Sequence, residues 1–262
     1  MYRLLSSSRL SFSLLLLAAL FFAGCQTTKP VGDAPRAPLL DGLGTHSMPI
    51  STPISGAQQY FDQGLVLAYG FNHAEAARSF RAAQQLDPSC AICYWGEALV
   101  LGPNINAEMN PADNAAAWSA LQTARRLSSL RERAPETGAR GPVRTEPTSQ
   151  KHTSPSAKER ALIQALSHRY AETPPEDRSA LDRAYADAMR SVAAKYLNDP
   201  DVQALFAEAL MDTTPWDYWE ADDSPKPVTE EFTAAIEKAL AQDINHPGAN
   251  HLYIHAVESV HP

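Results

Sequence analysis

Cys90 and Cys93 form a Cys-x-x-Cys pair, and three histidines, His246, His251 and His255, gather near the carboxyl end. In an exported protein two cysteines this close can oxidise to a disulfide. At a helix start the first thiol is also acidified and becomes the reactive one. A structural or incidental pair, a short disulfide and a metal-ligand pair are the readings that stand. Haem attachment is excluded because Tyr94 follows the second cysteine where a histidine is needed. His251 and His255 are spaced i, i+4 on one helical face, which suits two imidazoles on one ion. Leu252 occupies the glutamate position of the His-Glu-x-x-His motif, so a zinc peptidase is excluded. The pair reads as packing or capping histidines, or as a histidine-only metal site finished by residues beyond Pro262. His73 is separated from Cys90 by a helix worth roughly 20 Å at 1.5 Å per residue. In a linear stack, with about 8–10 Å between packed helices, the last helix stands several layers from Cys90. No joint cysteine–histidine site is expected.

Two loops carry the remaining polar chemistry. Residues 102–110 offer Asn104, Asn106 and Asn110; residues 213–227 offer Trp216, Tyr218 and Trp219 beside Asp217, Glu220, Asp222 and Asp223. Aromatic faces next to carboxylates suit a cation, a sugar or a peptide, and equally a loop that staples itself to its neighbours. Each joins the two helices of one hairpin, so both belong on one edge of a stack, and both exceed the usual helix–helix turn. No Ser-His-Asp spacing and no glycine-rich phosphate loop occurs, so a catalytic role is not expected.

The elements that must hold these residues are all helical. Apolar residues recur with helical period over 57–69, 73–86, 90–101, 111–127, 157–171, 176–196, 201–211, 229–242 and 250–260. Gly70-Phe71-Asn72 and Pro174-Pro175 are read as hairpin turns, and Ser89 as a cap. No segment alternates with period two, so the fold class is all-α. Residues 129–156, with Pro135, Pro142, Pro147 and Pro155 among many Ser, Thr and Arg, read as a disordered insertion. A basic docking strip through Arg131, Arg133, Arg140 and Arg144 is the alternative. The last helix carries Leu252, Ile254 and Val257, which need a neighbour. It either packs back as its own cap or belongs to a longer chain; the second is favoured.

Residues 1–24 have the form of a processing signal: Arg3 and Arg9, an apolar run over 10–22, then Phe22-Ala23-Gly24-Cys25. This resembles the lipobox of bacterial lipoproteins, which implies a covalent lipid (palmitate among its acyl groups) on Cys25 and a stable membrane anchor. An ordinary signal peptide or one uncleaved membrane helix are the alternatives. Gln26, where an aspartate would retain the protein at the inner membrane, favours the outer membrane, facing the periplasm. Residues 25–55, rich in Pro, Gly, Thr and Ser, read as a flexible tether. Of the 262 residues 44 % are hydrophobic, enough for a core, and the formal net charge of −8 argues against nucleic acid.

Tyr60, Gly64, Ala76, Phe80, Ala83 and Pro88 stand at the spacing of a helical-hairpin repeat, and a shift of 34 residues brings Tyr94 onto Tyr60 and Ala98 onto Gly64. This resembles the tetratricopeptide repeat (TPR), and the phrases Cys-Ala-Ile-Cys-Tyr-Trp-Gly and His-Pro-Gly-Ala-Asn-His are similar to those of bacterial repeat lipoproteins. The match weakens at Asp199-Pro200, 204–210 and 235–239 and is poor over 157–196. The resemblance implies a right-handed α-solenoid of four or five antiparallel hairpins, in residues 56–128 and 157–262, that binds a protein partner. Its concave positions fall on Gln58, Phe61, Leu65, Ala68 and Tyr69, then Ile92, Trp95, Leu99, Gly102 and Pro103. Those positions line an apolar groove, or are inter-repeat core. The expected function is a lipid-anchored scaffold in the cell envelope, with no resident cofactor beyond the lipid. The alternative is a metal- or redox-active envelope protein using Cys90 and Cys93 or the His246, His251, His255 cluster.

Overall fold

The computed structural model describes residues 37–129 and 153–258, which belong to one compact unit, Pro35–Pro262. The signal segment, Cys25 and the core of the 129–156 insertion lie outside the described residues. Among those described, nine α-helices and no strand occur: α1 Ser55–Tyr69, α2 His73–Leu86, α3 Ala91–Val100, α4 Asn114–Ser129, α5 Ala157–Leu166, α6 Ser179–Lys195, α7 Pro200–Met211, α8 Pro227–Gln242 and α9 Pro247–Glu258.

Local chemistry sets the boundaries. α1 ends at Gly70, whose N–H returns to the Val66 carbonyl, and Phe71 then turns left-handed at φ 56°. Pro200, Pro227 and Pro247 open their helices, where a missing N–H costs nothing. Asp199 caps α7 by accepting from Val202 N. Ser156 and Glu159 form a reciprocal capping box on α5. Cys90, not Ser89, holds the cap position of α3, while Ser89 Oγ donates to Asp87 Oδ1. The helix expected over 157–171 stops at Leu166, because Arg169 and Tyr170 turn inward.

Helices pack in consecutive pairs, α1 on α2, α3 on α4, α5 on α6 and α7 on α8. α3 and α7 are buried nearly all round, whereas α4, α6 and α8 show a solvated face. Phe80 of α2 is the wedge between α1 and α3: a Cβ on Gly64 would lie 2.8 Å from its ring, and one on Gly96 2.5 Å. Ala76 and Ala98 are fully buried beside it. Small residues at these sites therefore let three helices close on one aromatic ring.

Two expectations are corrected. The last helix has neighbours: α9 packs on α7, α8 and, across the stack, α1. Leu252 is buried by this return, while Ile254 and Val257 stay exposed. Gly248 makes the closure possible, since a Cβ there would meet the Tyr69 ring at 2.5 Å. The described part of the tether is not a free linker either. Residues 37–54 form a strap whose backbone groups are held by side chains of α1: Leu40 N donates to Gln63, Met48 N to Asp62 and Ile50 N to Gln58. Ser51 N donates to Glu159 Oε1 of α5 at 2.7 Å, and Met48 is fully buried. A segment without periodicity is ordered here because helical side chains replace the missing backbone partners.

Candidate functional site

Cys90 and Cys93 are joined by a disulfide and both are buried. Phe61, Leu65, Tyr69 and Trp95, expected along a groove, are likewise buried. Phe61 meets Phe80 edge-on at 5.4 Å, and Tyr69 lies under Gly248 of α9. The returning helix and the strap fill the space an open groove would occupy, so these four side chains serve as core.

The hairpin loops do share an edge. Residues 103–111, 174–179 and 212–215 line one cleft of about 770 Å³. Asn104 and Asn106 belong to it: Asn106 N donates to Asn104 Oδ1 in a tight turn, and Asn104 Nδ2 faces His73 Nδ1 at 3.4 Å. Behind the cleft Arg169, buried, donates to Asp212 Oδ2 at 2.5 Å and to the Pro103 carbonyl at 2.7 Å. Its own carbonyl accepts from the Arg178 guanidinium at 3.0 Å, so Arg169 ties all three loops together. Glu108, Glu176 and Asp177 stand exposed at the rim. The aromatic loop divides its work. Tyr218 is buried against Phe232, Trp219 Nε1 donates to the Ala256 carbonyl, and Trp216 remains 44 % exposed.

A polar knot lies where the strap meets α7 and α9. Asp201 Oδ1 accepts from Tyr69 OH at 2.9 Å and faces His46 Nε2 at 2.9 Å and His246 Nε2 at 3.3 Å. Three ligand atoms this close, within 4.8 Å of one another, are compatible with a cation by distance alone. The donor set does not fit one. His246 Nδ1 accepts from Ala249 N–H at 3.0 Å, so its proton sits on Nε2 and points at Asp201. Metal-bound histidines have the reverse arrangement, donating from the far nitrogen. Burial disfavours the charged forms here, yet the mutual hydrogen bonds and charge attraction prevail. They raise the His46 imidazole above its ordinary value and hold the Asp201 carboxyl far below its own.

His251 and His255 occupy the opposite end of the same contact. His251 Nδ1 lies 2.5 Å from the Tyr69 carbonyl, His255 Nδ1 faces the Glu258 carboxylate, and the two Nε2 atoms stand 2.9 Å apart. Phe71 lies 4.6 Å from the His251 ring and nearly parallel to the His255 ring; Trp216 meets His255 edge-on at 5.3 Å. His246 is not part of this pair, being engaged at Asp201.

Sequence reasoning found the histidine pair and the loop edge but missed His46, Asp201, Arg169 and Glu159. Asp201 follows an Asp-Pro helix start, a signal for capping only. His46 and Arg169 carry no local signal, since their partners lie 155 and 43 residues away. No family model matches the chain, and no curated protein or solved structure is significantly similar to it.

Proposed function

We propose that the chain is a lipid-anchored scaffold of TPR-like hairpins in the bacterial cell envelope, held at the outer membrane through Cys25, and that it captures a segment of another envelope protein at its loop edge. The reading is carried by one observation: loops of three successive hairpins converge on a single cleft, braced from behind by the buried Arg169–Asp212 pair. A stack whose units each bury one face against the next leaves its loops as the adaptable surface. Carboxylates dominate the rim, so a basic extended segment is the favoured partner. The inner helices contribute rigidity, not contact.

Capture from envelope extract by the full lipidated chain tests this. The double charge reversal Glu108→Lys, Glu176→Lys touches exposed residues and should abolish capture with an unchanged melting temperature. Equal capture by the reversed variant would refute the cleft as the binding surface. Cys25→Ser should shift the protein from the membrane to the soluble fraction.

A further inference from the structure

We propose that His251 and His255 form a divalent transition-metal site of the copper(II) or nickel(II) type. A carbonyl can only accept, so the 2.5 Å contact to Tyr69 O fixes the His251 hydrogen on Nδ1 and leaves a lone pair on Nε2. The Glu258 carboxylate does the same for His255. Two lone pairs then face each other at 2.9 Å, an arrangement that repels unless a cation stands between them. Carbonyl and carboxylate acceptors on the far nitrogens are the outer shell that orients metal-bound imidazoles and raises their basicity. The knot at Asp201 lacks this shell, which separates the two clusters chemically.

The spacing also selects geometry. With metal–nitrogen bonds of about 2.0–2.1 Å, nitrogens 2.9 Å apart subtend about 90°, the angle between neighbouring positions of a tetragonal or octahedral ion. A tetrahedral ion would need them about 3.3 Å apart. Phe71 and Trp216 wall the pair, and both hold left-handed backbone, φ 56° and 62°, which disfavours bulky side chains. Such conformations collect at functional sites. Trp216 and the partly exposed His255 leave the outer positions open to water or to a ligand atom of a partner. His73 stays outside, its Nδ1 facing Asn104. Where a proton bridges the two nitrogens in the free protein, the ion displaces it to solvent.

The test uses the full lipidated chain in detergent, stripped with chelator and titrated with copper(II) alone, read by calorimetry and electron paramagnetic resonance. One ion per chain is expected, with an axial spectrum split by two nitrogens. His255→Asn should weaken binding at least tenfold and remove one nitrogen coupling. Glu258→Gln keeps both rings and should weaken binding about tenfold, as loss of an outer-shell partner does. His168→Asn, on the exposed surface, should change nothing. No stoichiometric binding would overturn the proposal and leave a proton-bridged pair. Binding lost in His46→Gln but intact in His255→Asn would overturn it in favour of the Asp201 cluster.

Discussion

Removing Asp201 of α7 should cost more than any single change in the strap that it holds. One carboxylate oxygen serves Tyr69, His46 and His246, and its side chain is 8 % exposed. Asp201→Ala therefore strands three polar groups and leaves His46 without its counter-charge, a loss of about 3–5 kcal/mol by analogy with broken buried pairs. Asp201→Asn preserves shape and one acceptor and should lose about 1.5–3 kcal/mol, the value of hydrogen bonds to a charged group. His46→Ala removes one arm only, about 1–3 kcal/mol. Because the residues share one oxygen, the double variant should cost less than the two single costs added together. The linkage has a definite sign. His46 is raised, so its contribution is complete below the ordinary histidine value of 6.5 and fades as pH climbs through the raised folded value. Asp201 is lowered, so its contribution is complete above the ordinary carboxyl value of 3.8 and fades as pH falls through the lowered folded value. Denaturant unfolding between pH 2 and 9, with hydrogen exchange at the Leu40, Met48 and Ile50 amides, reads both effects: the Asp201 loss below pH 4 and the His46 loss on the neutral to alkaline side. Additive losses, or an Asp201→Ala cost within about 0.5 kcal/mol of zero, would refute the reasoning.

Other expectations follow from single contacts. His73 is pushed down to about 4, first by burial and then by the Arg169 charge, so its effect is opposite to that of His46. Stability should fall as pH drops from 6.5 towards 4, by up to about 3 kcal/mol, and His73→Gln should flatten that limb in a pH series of melting curves. Gly96→Ala drives a methyl to 2.5 Å from the Phe80 ring and should destabilise by about 1–3 kcal/mol in denaturant titration, partly relieved by Phe80→Leu. Arg169→Ala leaves Asp212 buried without its partner and should cost about 3–5 kcal/mol, with loss of hydrogen-exchange protection in all three cleft loops.

The helices were legible because their ends carry chemistry that acts within a few residues. Pro200, Pro227 and Pro247 open helices wherever they fall, and the Gly70-Phe71-Asn72 turn closes α1 as its spacing predicts. Gly64 and Ala98 read as close-packing positions, and both are buried, with a Cβ on Gly64 meeting the Phe80 ring at 2.8 Å. Closure of α9 onto α1 was not legible. It rests on Gly248 meeting the Tyr69 ring, two residues far apart in the chain, and no local spacing encodes such a contact. The strap was hidden because its bonds run from backbone groups, which every sequence possesses, to Asp62, Gln63 and Glu159 side chains that read as ordinary helix surface and to Gln58, which reads as a groove position. The spacing of His251 and His255 marked them as neighbours. Only the fold could bring the Tyr69 carbonyl beneath one of them, 182 residues away.

Hydrogen exchange of the full chain with and without its captured partner bears most directly on the scaffold account. Slowing confined to residues 103–111, 174–179 and 212–215, with the α8 surface unaffected, is the predicted pattern. Slowing on the outer faces of α6 and α8, with those three loops exchanging as before, would contradict it.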